Sequence, residues 1–179
     1  MTWLVSPEVV IGALLIGSLI ELAMPKGKNG YPITIFSILA FIAGTYAANV
    51  VILKAGKITA LTTFFELDSL AALTAWLVLL LGMLAAIASL AYMKEEENKL
   101  QKEYYLFLGL FVLGMYGMAV AADLLTLYIF LELVTVVSTV LVIHERKAES
   151  LEAGLKYLIL CSVGASVLLV SAVLLISVQ

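Results

Sequence analysis

The chain has 179 residues, of which 64% are hydrophobic and only 13% are charged, and its mean hydropathy is +1.15. A soluble domain is usually about half apolar and about a quarter charged, so this composition excludes an ordinary soluble fold. The net charge of −3 and the isoelectric point near 5.1 exclude a basic surface that would bind nucleic acid.

Six apolar runs are long enough to cross a bilayer as helices, which takes roughly 20 residues each. Their predicted ranges are 8–24, 33–53, 70–92, 104–122, 124–143 and 151–178. No Lys or Arg lies before Val9, so the first run lacks the positive segment of a signal peptide and is interpreted as a retained helix. The sequence therefore predicts an all-α integral membrane protein, with one transmembrane domain (1–179) built as a six-helix bundle.

The segment 57–68 (KITALTTFFELD) separates the second and third runs and is rich in Thr and β-branched residues. Such residues favour extended backbone. We predict either a short strand at the membrane interface or an extended lead-in to the third helix.

Lys and Arg are unevenly distributed between the two sets of loops. The loops after the first, third and fifth runs hold seven of them, and the other set holds two, Lys54 and Lys57. The seven are Lys26, Lys28, Lys94, Lys99, Lys102, Arg146 and Lys147. Because cytoplasmic loops carry the positive excess, we expect a multi-pass protein of the cell membrane with its N-terminus outside and a solvated 93–103 loop in the cytoplasm.

Several polar residues have ordinary structural interpretations. Gly109, Gly114 and Gly117 in the fourth run predict close approach of neighbouring helices. Asp123 precedes the fifth run and is expected to cap that helix, whose positive end a carboxylate suits. Glu21 lies within one turn of the predicted cytoplasmic surface and is expected to reach water.

The chain has one His and one Cys, so haem, zinc and iron–sulfur ligation within it are not expected. It carries no glycine-rich phosphate loop, no H-E-x-x-H motif and no paired carboxylates of a hydrolase. We therefore expect no cofactor, no metal ligands and no catalytic residues in this chain, which would perform no redox chemistry alone.

Glu132 is the most informative residue. It lies about eight residues from either end of the fifth run, which at 1.5 Å per residue is roughly 12 Å from each surface. A carboxylate at that depth costs on the order of 3 kcal/mol, and its side chain is too short to reach the surface. It must be protonated, paired with a cation, or facing a hydrated cavity, as a residue of a proton relay would be; the structural alternative is a neutral Glu that donates one hydrogen bond between helices.

Hydroxyl side chains share the helix face of Glu132. Positions four before, three after and seven after it are Tyr128, Thr135 and Thr139. This hydroxyl stripe is not typical of a lipid-facing surface. It could line a hydrated ion path or satisfy a helix contact.

Two further residues are candidates for an ion pathway. Lys156 lies about one and a half turns into the sixth run, where its ammonium could extend to the surface or turn inward to Glu132. His144 follows the fifth helix, and a histidine there can exchange protons near neutral pH or be a plain interfacial residue.

The fifth and sixth runs resemble a known family. The string 122–142 contains F-L-E-L around Glu132, and 150–169 contains G-x-K-Y followed by S-x-G-x-S, that is Gly154, Lys156, Tyr157, Ser162, Gly164 and Ser166. Together with F-E-L-D-S-L-A-A-L-T-A-W at 65–76, these motifs resemble the antiporter-like subunits of complex I, of the multisubunit Na+/H+ antiporters, and of archaeal membrane-bound hydrogenases and sulfur reductases. The similarity covers roughly residues 65–178, and the first two helices fit in topology.

The resemblance implies that the chain has the fold of the N-terminal part of such a subunit, with Glu132 in a proton or sodium pathway and Lys156 in a supporting role. In the family the glutamate pairs with a lysine on the seventh helix, which is not among the six runs predicted here. Glu132 would then pair with Lys156 or with another subunit, or stay neutral.

Three functions remain open from the sequence. The first is a half-channel subunit of a redox-driven or gradient-driven ion-translocating complex. Its partners would be other integral membrane subunits, including full-length antiporter-like subunits, with iron–sulfur or nickel–iron redox subunits, and lipid around them. The second is a structural spacer in the same kind of complex. The third is a small independent carrier or channel that only resembles the family.

Overall fold

The computed structural model describes residues 6–23, 31–54, 58–59, 63–95, 101–144 and 147–178. These residues form six helices and two short strands. In chain order they are α1 (Pro7–Ala23), α2 (Tyr31–Lys54), β1 (Ile58–Thr59), β2 (Glu66–Leu67), α3 (Ser69–Glu95), α4 (Gln101–Ala119), α5 (Leu124–Ile143) and α6 (Ala148–Val178). The predicted all-α membrane fold is confirmed.

Four of these helices are long and apolar enough to cross a membrane by length and composition, namely α2, α3, α5 and α6. The sequence predicts spans at α1 and α4 as well, and that count of six stays a prediction. Much of the apolar surface points outward, as in Leu160 on α6, which is 74% exposed. Such side chains suit contact with lipid tails.

Helix α4 lies at the centre of the bundle, where it packs against α1, α3 and α5. Two of its tyrosines, Tyr105 and Tyr116, are each 2% exposed. Gly109 lies against Ile33 of α2, and Gly117 lies against the ring of Phe130 of α5. The predicted close approach at these glycines is confirmed, and it brings α5 into position beside the core.

The segment before α3 forms a small antiparallel ladder, in which Ile58 pairs with Leu67 and Thr59 with Glu66. The strand interpretation is therefore confirmed for the described residues. The ladder continues onto the α4–α5 connection, where the Glu66 N–H donates to the Val120 carbonyl (2.9 Å) and the Ala122 N–H donates to the Phe64 carbonyl (2.9 Å). These bonds fix the place where α5 begins.

Asp123 caps α5, as predicted. Its Oδ1 accepts the backbone N–H of Thr126 at 2.6 Å and its Oδ2 accepts the Thr126 hydroxyl at 2.9 Å. These hydrogen bonds, chiefly the one from the Thr126 amide, hold the pKa of the Asp123 carboxyl below its usual range.

The expectation that Glu21 reaches water is wrong. Its side chain is 0% exposed, and its Oε1 accepts the backbone N–H of Ile33 at 3.1 Å. Because α1 packs against both α2 and α4, the last turn of α1 lies inside the bundle rather than at its surface.

Parts of the predicted loops lie outside the described residues, so the structure leaves the orientation in the membrane a prediction. These parts include the middle of the 93–103 loop and five of the charges used to predict orientation: Lys26, Lys28, Lys57, Lys99 and Arg146.

We predict that Gly117→Ala lowers the free energy of unfolding by roughly 1–3 kcal/mol, because a new Cβ overlaps the Phe130 ring and packed cores resist added volume. The ring contacts Phe65 at a centroid distance of 5.9 Å, which limits its retreat. The matched control is Gly164→Ala, where a Cβ meets nothing within 4 Å. Unfolding followed by circular dichroism in detergent checks this, and equal effects of the two substitutions would contradict it.

Asp123→Ala is expected to destabilise the fold by about 1 kcal/mol through loss of the cap. Because the folded-state pKa of Asp123 is lowered, its stabilisation is present above the ordinary aspartate pKa and is lost as the pH falls through the folded value. Asp123→Asn should keep an acceptor for Thr126 and abolish this acid-range loss. Unfolding curves at several acidic pH values measure the difference; identical pH dependence in the Asn variant and the unmodified chain would exclude the effect.

Candidate functional site

Glu132 lies in the middle of α5, four residues after Tyr128. The Tyr128 hydroxyl donates to Glu132 Oε1 at 3.1 Å, and both side chains are half-buried. The spacing of four residues places them on one face, one turn apart. The structure therefore joins two of the predicted site residues in one hydrogen bond.

The other two hydroxyls of the stripe are buried. Thr135 is 6% exposed and Thr139 is 4% exposed. Each donates its hydroxyl proton to a carbonyl one turn earlier, Thr135 to Leu131 at 2.9 Å and Thr139 to Thr135 at 2.8 Å. Their protons are thus engaged with the backbone, and what each oxygen still offers is its lone pairs.

Lys156 lies on the exposed surface of α6. Its Nζ is 2.6 Å from Oε1 of Glu152, and the two side chains are 70% and 68% exposed. A pair with a spacing of four residues on one helix is a local interaction of small energy. The structure therefore places this ammonium with Glu152 and does not bring it to Glu132.

The register of α5 and α6 explains this separation. Ser138 Oγ lies 3.0 Å from the phenol oxygen of Tyr157, so these two residues are level with each other. Glu132 lies six residues before Ser138 in α5, which at 1.5 Å per residue is about 9 Å away along the axis. Lys156 is therefore nearly two turns from the level of Glu132.

His144 ends α5 as its C-cap residue, and its backbone N–H donates to the Leu141 carbonyl at 3.3 Å. Its ring lies 5.3 Å from the ring of Tyr104 on α4, measured between centroids. Its Nε2 is buried and has no hydrogen-bond partner among the described residues. The structure thus places His144 beside α4, far along α5 from Glu132.

Two features of these helices were not predicted from the sequence. One is the Ser138–Tyr157 contact, which crosses from α5 to α6 and depends on their register. The other is the buried carboxylate of Glu21. It depends on the packing of α1 beside the start of α2, where the Ile33 N–H donates to Glu21.

Across the described ranges, no group of three or more His, Cys, Asp or Glu side chains is placed to hold a metal ion. Cys161 is half-buried in α6 and is a free thiol. The expected lack of a cofactor in this chain stays a prediction.

Comparison with known proteins places the α5–α6 region in a family. Residues 121–179 match the family described as NADH:quinone oxidoreductase/Mrp antiporter, transmembrane. The "NADH-quinone oxidoreductase subunit N" of Desulfitobacterium hafniense is 33% identical over 171 residues, covering 93% of this chain and 34% of the relative. That of Moorella thermoacetica is 33% identical over 162 residues, covering 89% of this chain and 32% of the relative.

A solved structure, that of the membrane-bound sulfane sulfur reductase, "an archaeal respiratory membrane complex", has a similar fold. The TM-score is 0.79 at 20% identity, and the match covers 89% of this chain and 34% of the solved chain. The present chain spans about one third of the length of the curated relatives it matches. The resemblance noted in the sequence is thereby confirmed, and the chain belongs to the antiporter-like membrane proteins of the complex I superfamily.

Proposed function

We propose that this chain acts as a membrane subunit of a complex I-like assembly and contributes a proton or sodium half-channel around Glu132. The observation that supports this most directly is the Tyr128–Glu132 hydrogen bond in the middle of an apolar helix. An ionisable side chain at such depth is costly, and a functional role is its default interpretation. The family match includes the whole of α5.

The oxygen atoms on the helix face of Glu132 favour a path for cations or for hydrogen-bond donors such as water. Thr135 and Thr139 use their protons on backbone carbonyls, so they present acceptor lone pairs along the same face. Water molecules, hydronium and Na+ all bind to such oxygens. The stripe therefore supports either H+ or Na+ as the transported ion.

A structural spacer is the second candidate, and one observation favours it. Lys156 is paired with Glu152 at the exposed surface, so the cation expected to support Glu132 is engaged elsewhere. In that case Glu132 would be neutral and would serve only to hold helices together. Transport would then belong to neighbouring subunits.

The assembly that we propose includes other integral membrane subunits, among them full-length antiporter-like subunits, and iron–sulfur or nickel–iron redox subunits. The relatives named above are subunits of a quinone oxidoreductase, and the similar fold comes from a respiratory membrane complex. The outward apolar side chains of α6 are compatible with lipid or with neighbouring helices.

Glu132→Gln is expected to abolish most ion translocation, because the amide keeps the shape and the hydrogen bond with Tyr128 but cannot exchange a proton or neutralise a cation. Translocation would be measured in membrane vesicles with a pH-sensitive dye and with labelled sodium. Mass spectrometry of the purified assembly would establish that the subunits are still present in normal amounts.

The control for this experiment is Glu152→Gln, which removes a carboxylate of the same type from the exposed surface. It should leave translocation unchanged. Normal pumping by an intact Glu132→Gln assembly would exclude the half-channel and favour the spacer.

Tyr128→Phe is expected to slow translocation by about 10- to 150-fold and not to abolish it, since a hydrogen bond to a charged group contributes roughly 1.5–3 kcal/mol. The substitution removes only the hydroxyl that donates to Glu132. The same vesicle assay measures this effect. The matched control is Tyr157→Phe, which removes a phenol oxygen from α6. A larger effect at Tyr157 than at Tyr128 would contradict the assignment.

A further inference from the structure

Glu21 is a buried carboxylate that the proposed half-channel does not use. Its side chain is 0% exposed in the last turn of α1. An ionised carboxylate removed from water is costly unless hydrogen bonds or opposite charge compensate it. The surroundings of Glu21 therefore decide what it can do.

The first compensation comes from the start of α2. Ile33 is the third residue of that helix, and its N–H donates to Glu21 Oε1 at 3.1 Å. The preceding Pro32 has no N–H, and Gly30 has no side chain to act as a cap. Glu21 thus supplies from another helix the acceptor that a local N-cap residue usually provides.

This position also determines the kind of ligand that Glu21 can take. The N-terminus of a helix carries a partial positive charge, which stabilises an anion and repels a metal cation. A proton can nevertheless bind, because the carbonyl oxygen of the neutral acid still accepts the Ile33 N–H. The positive helix end opposes the binding of either cation, but a proton leaves a neutral acid there whereas Na+ would remain a full charge, so H+ fits this carboxylate better than Na+.

Helix α4 provides the second group that interacts with Glu21. Tyr105 is 2% exposed and lies close enough to Glu21 for an electrostatic interaction. Its hydroxyl donates to the Ser89 carbonyl of α3 at 3.0 Å. Tyr104 and Tyr31 also lie within electrostatic reach of Tyr105.

Two further titratable rings lie in series beside Tyr105. The rings of Tyr105 and Tyr104 are 5.4 Å apart, and those of Tyr104 and His144 are 5.3 Å apart. Tyr104 and His144 are both half-buried, and the first turn of α4 adds Lys102 and Glu103. The buried Nε2 of His144, without a partner among the described residues, is a place where a water molecule would bind.

We propose that Glu21 is a second proton-binding carboxylate of the bundle, reached from the side of Tyr104 and His144 and separate from Glu132. In the step itself a hydronium ion transfers its proton to a Glu21 oxygen, leaving a neutral carboxyl group and a water molecule. No electron moves. This site does not require that Glu132 carry an ion.

The test is infrared difference spectroscopy of the full chain in lipid nanodiscs, comparing neutral with acidic pH. Protonation of a buried carboxylate produces a C=O stretching band above the region of exposed acids. We expect such a band in the unmodified chain, its loss in Glu21→Gln, and its retention in Glu152→Gln. The Gln side chain keeps an acceptor for the Ile33 N–H, so the fold should survive.

A second variant tests the assignment of the band without replacing Glu21, in case Glu21→Gln does not fold. Tyr105→Phe leaves Glu21 in place and removes the neighbouring phenol oxygen, so it should shift the frequency of the band without removing it. A band that persists unchanged in Glu21→Gln would overturn the proposal, as would its absence from the unmodified chain. In the latter case Glu21 is a permanently ionised cap of α2. Because a protonated Glu132 would give a band in the same region, all variants are compared in a Glu132→Gln background, which makes the readout independent of the outcome at Glu132.

Discussion

Every backbone amide of a lipid-embedded bundle must find its hydrogen-bond partner within the protein, and this requirement shapes the starts of α2 and α5. At α2 the partner comes from α1, through Glu21 and the Ile33 N–H. At α5 it comes from Asp123, together with the ladder bonds to Phe64 and Val120. The helices are thus held at their ends by polar contacts and between their ends by close packing against α4.

Much of the fold could be predicted because its signals are local. A run of about twenty apolar residues predicts a spanning helix, a carboxylate before such a run predicts a cap, and β-branched residues predict a strand. Asp123 and β1–β2 follow these rules. Glu21 does not, because distance along the sequence to the predicted surface says nothing about which neighbours cover that turn. Its burial follows from the packing of α1 against α2 and α4.

The candidate site, too, was predictable where it depends on one helix and not where it depends on the packing of two. The depth of Glu132 and the face that it shares with Tyr128 depend only on the geometry of one helix, and both were accessible from spacing. The position of Lys156 depends on the register between α5 and α6, which is set by contacts such as Ser138–Tyr157. A competing local signal was visible, however: Glu152 precedes Lys156 by four residues, the favourable order for a pair on one helix.

The strand ladder beside Asp123 has a mechanical consequence. It joins the lead-in of α3 to the connection between α4 and α5, so three helix ends are tied together by backbone hydrogen bonds on one side of the bundle. Backbone hydrogen bonds of this kind constrain the three helix ends to move together. A change in the angle between α3 and α5 would therefore separate these two helices most at their opposite ends, on the side of the bundle where Tyr104 and His144 lie.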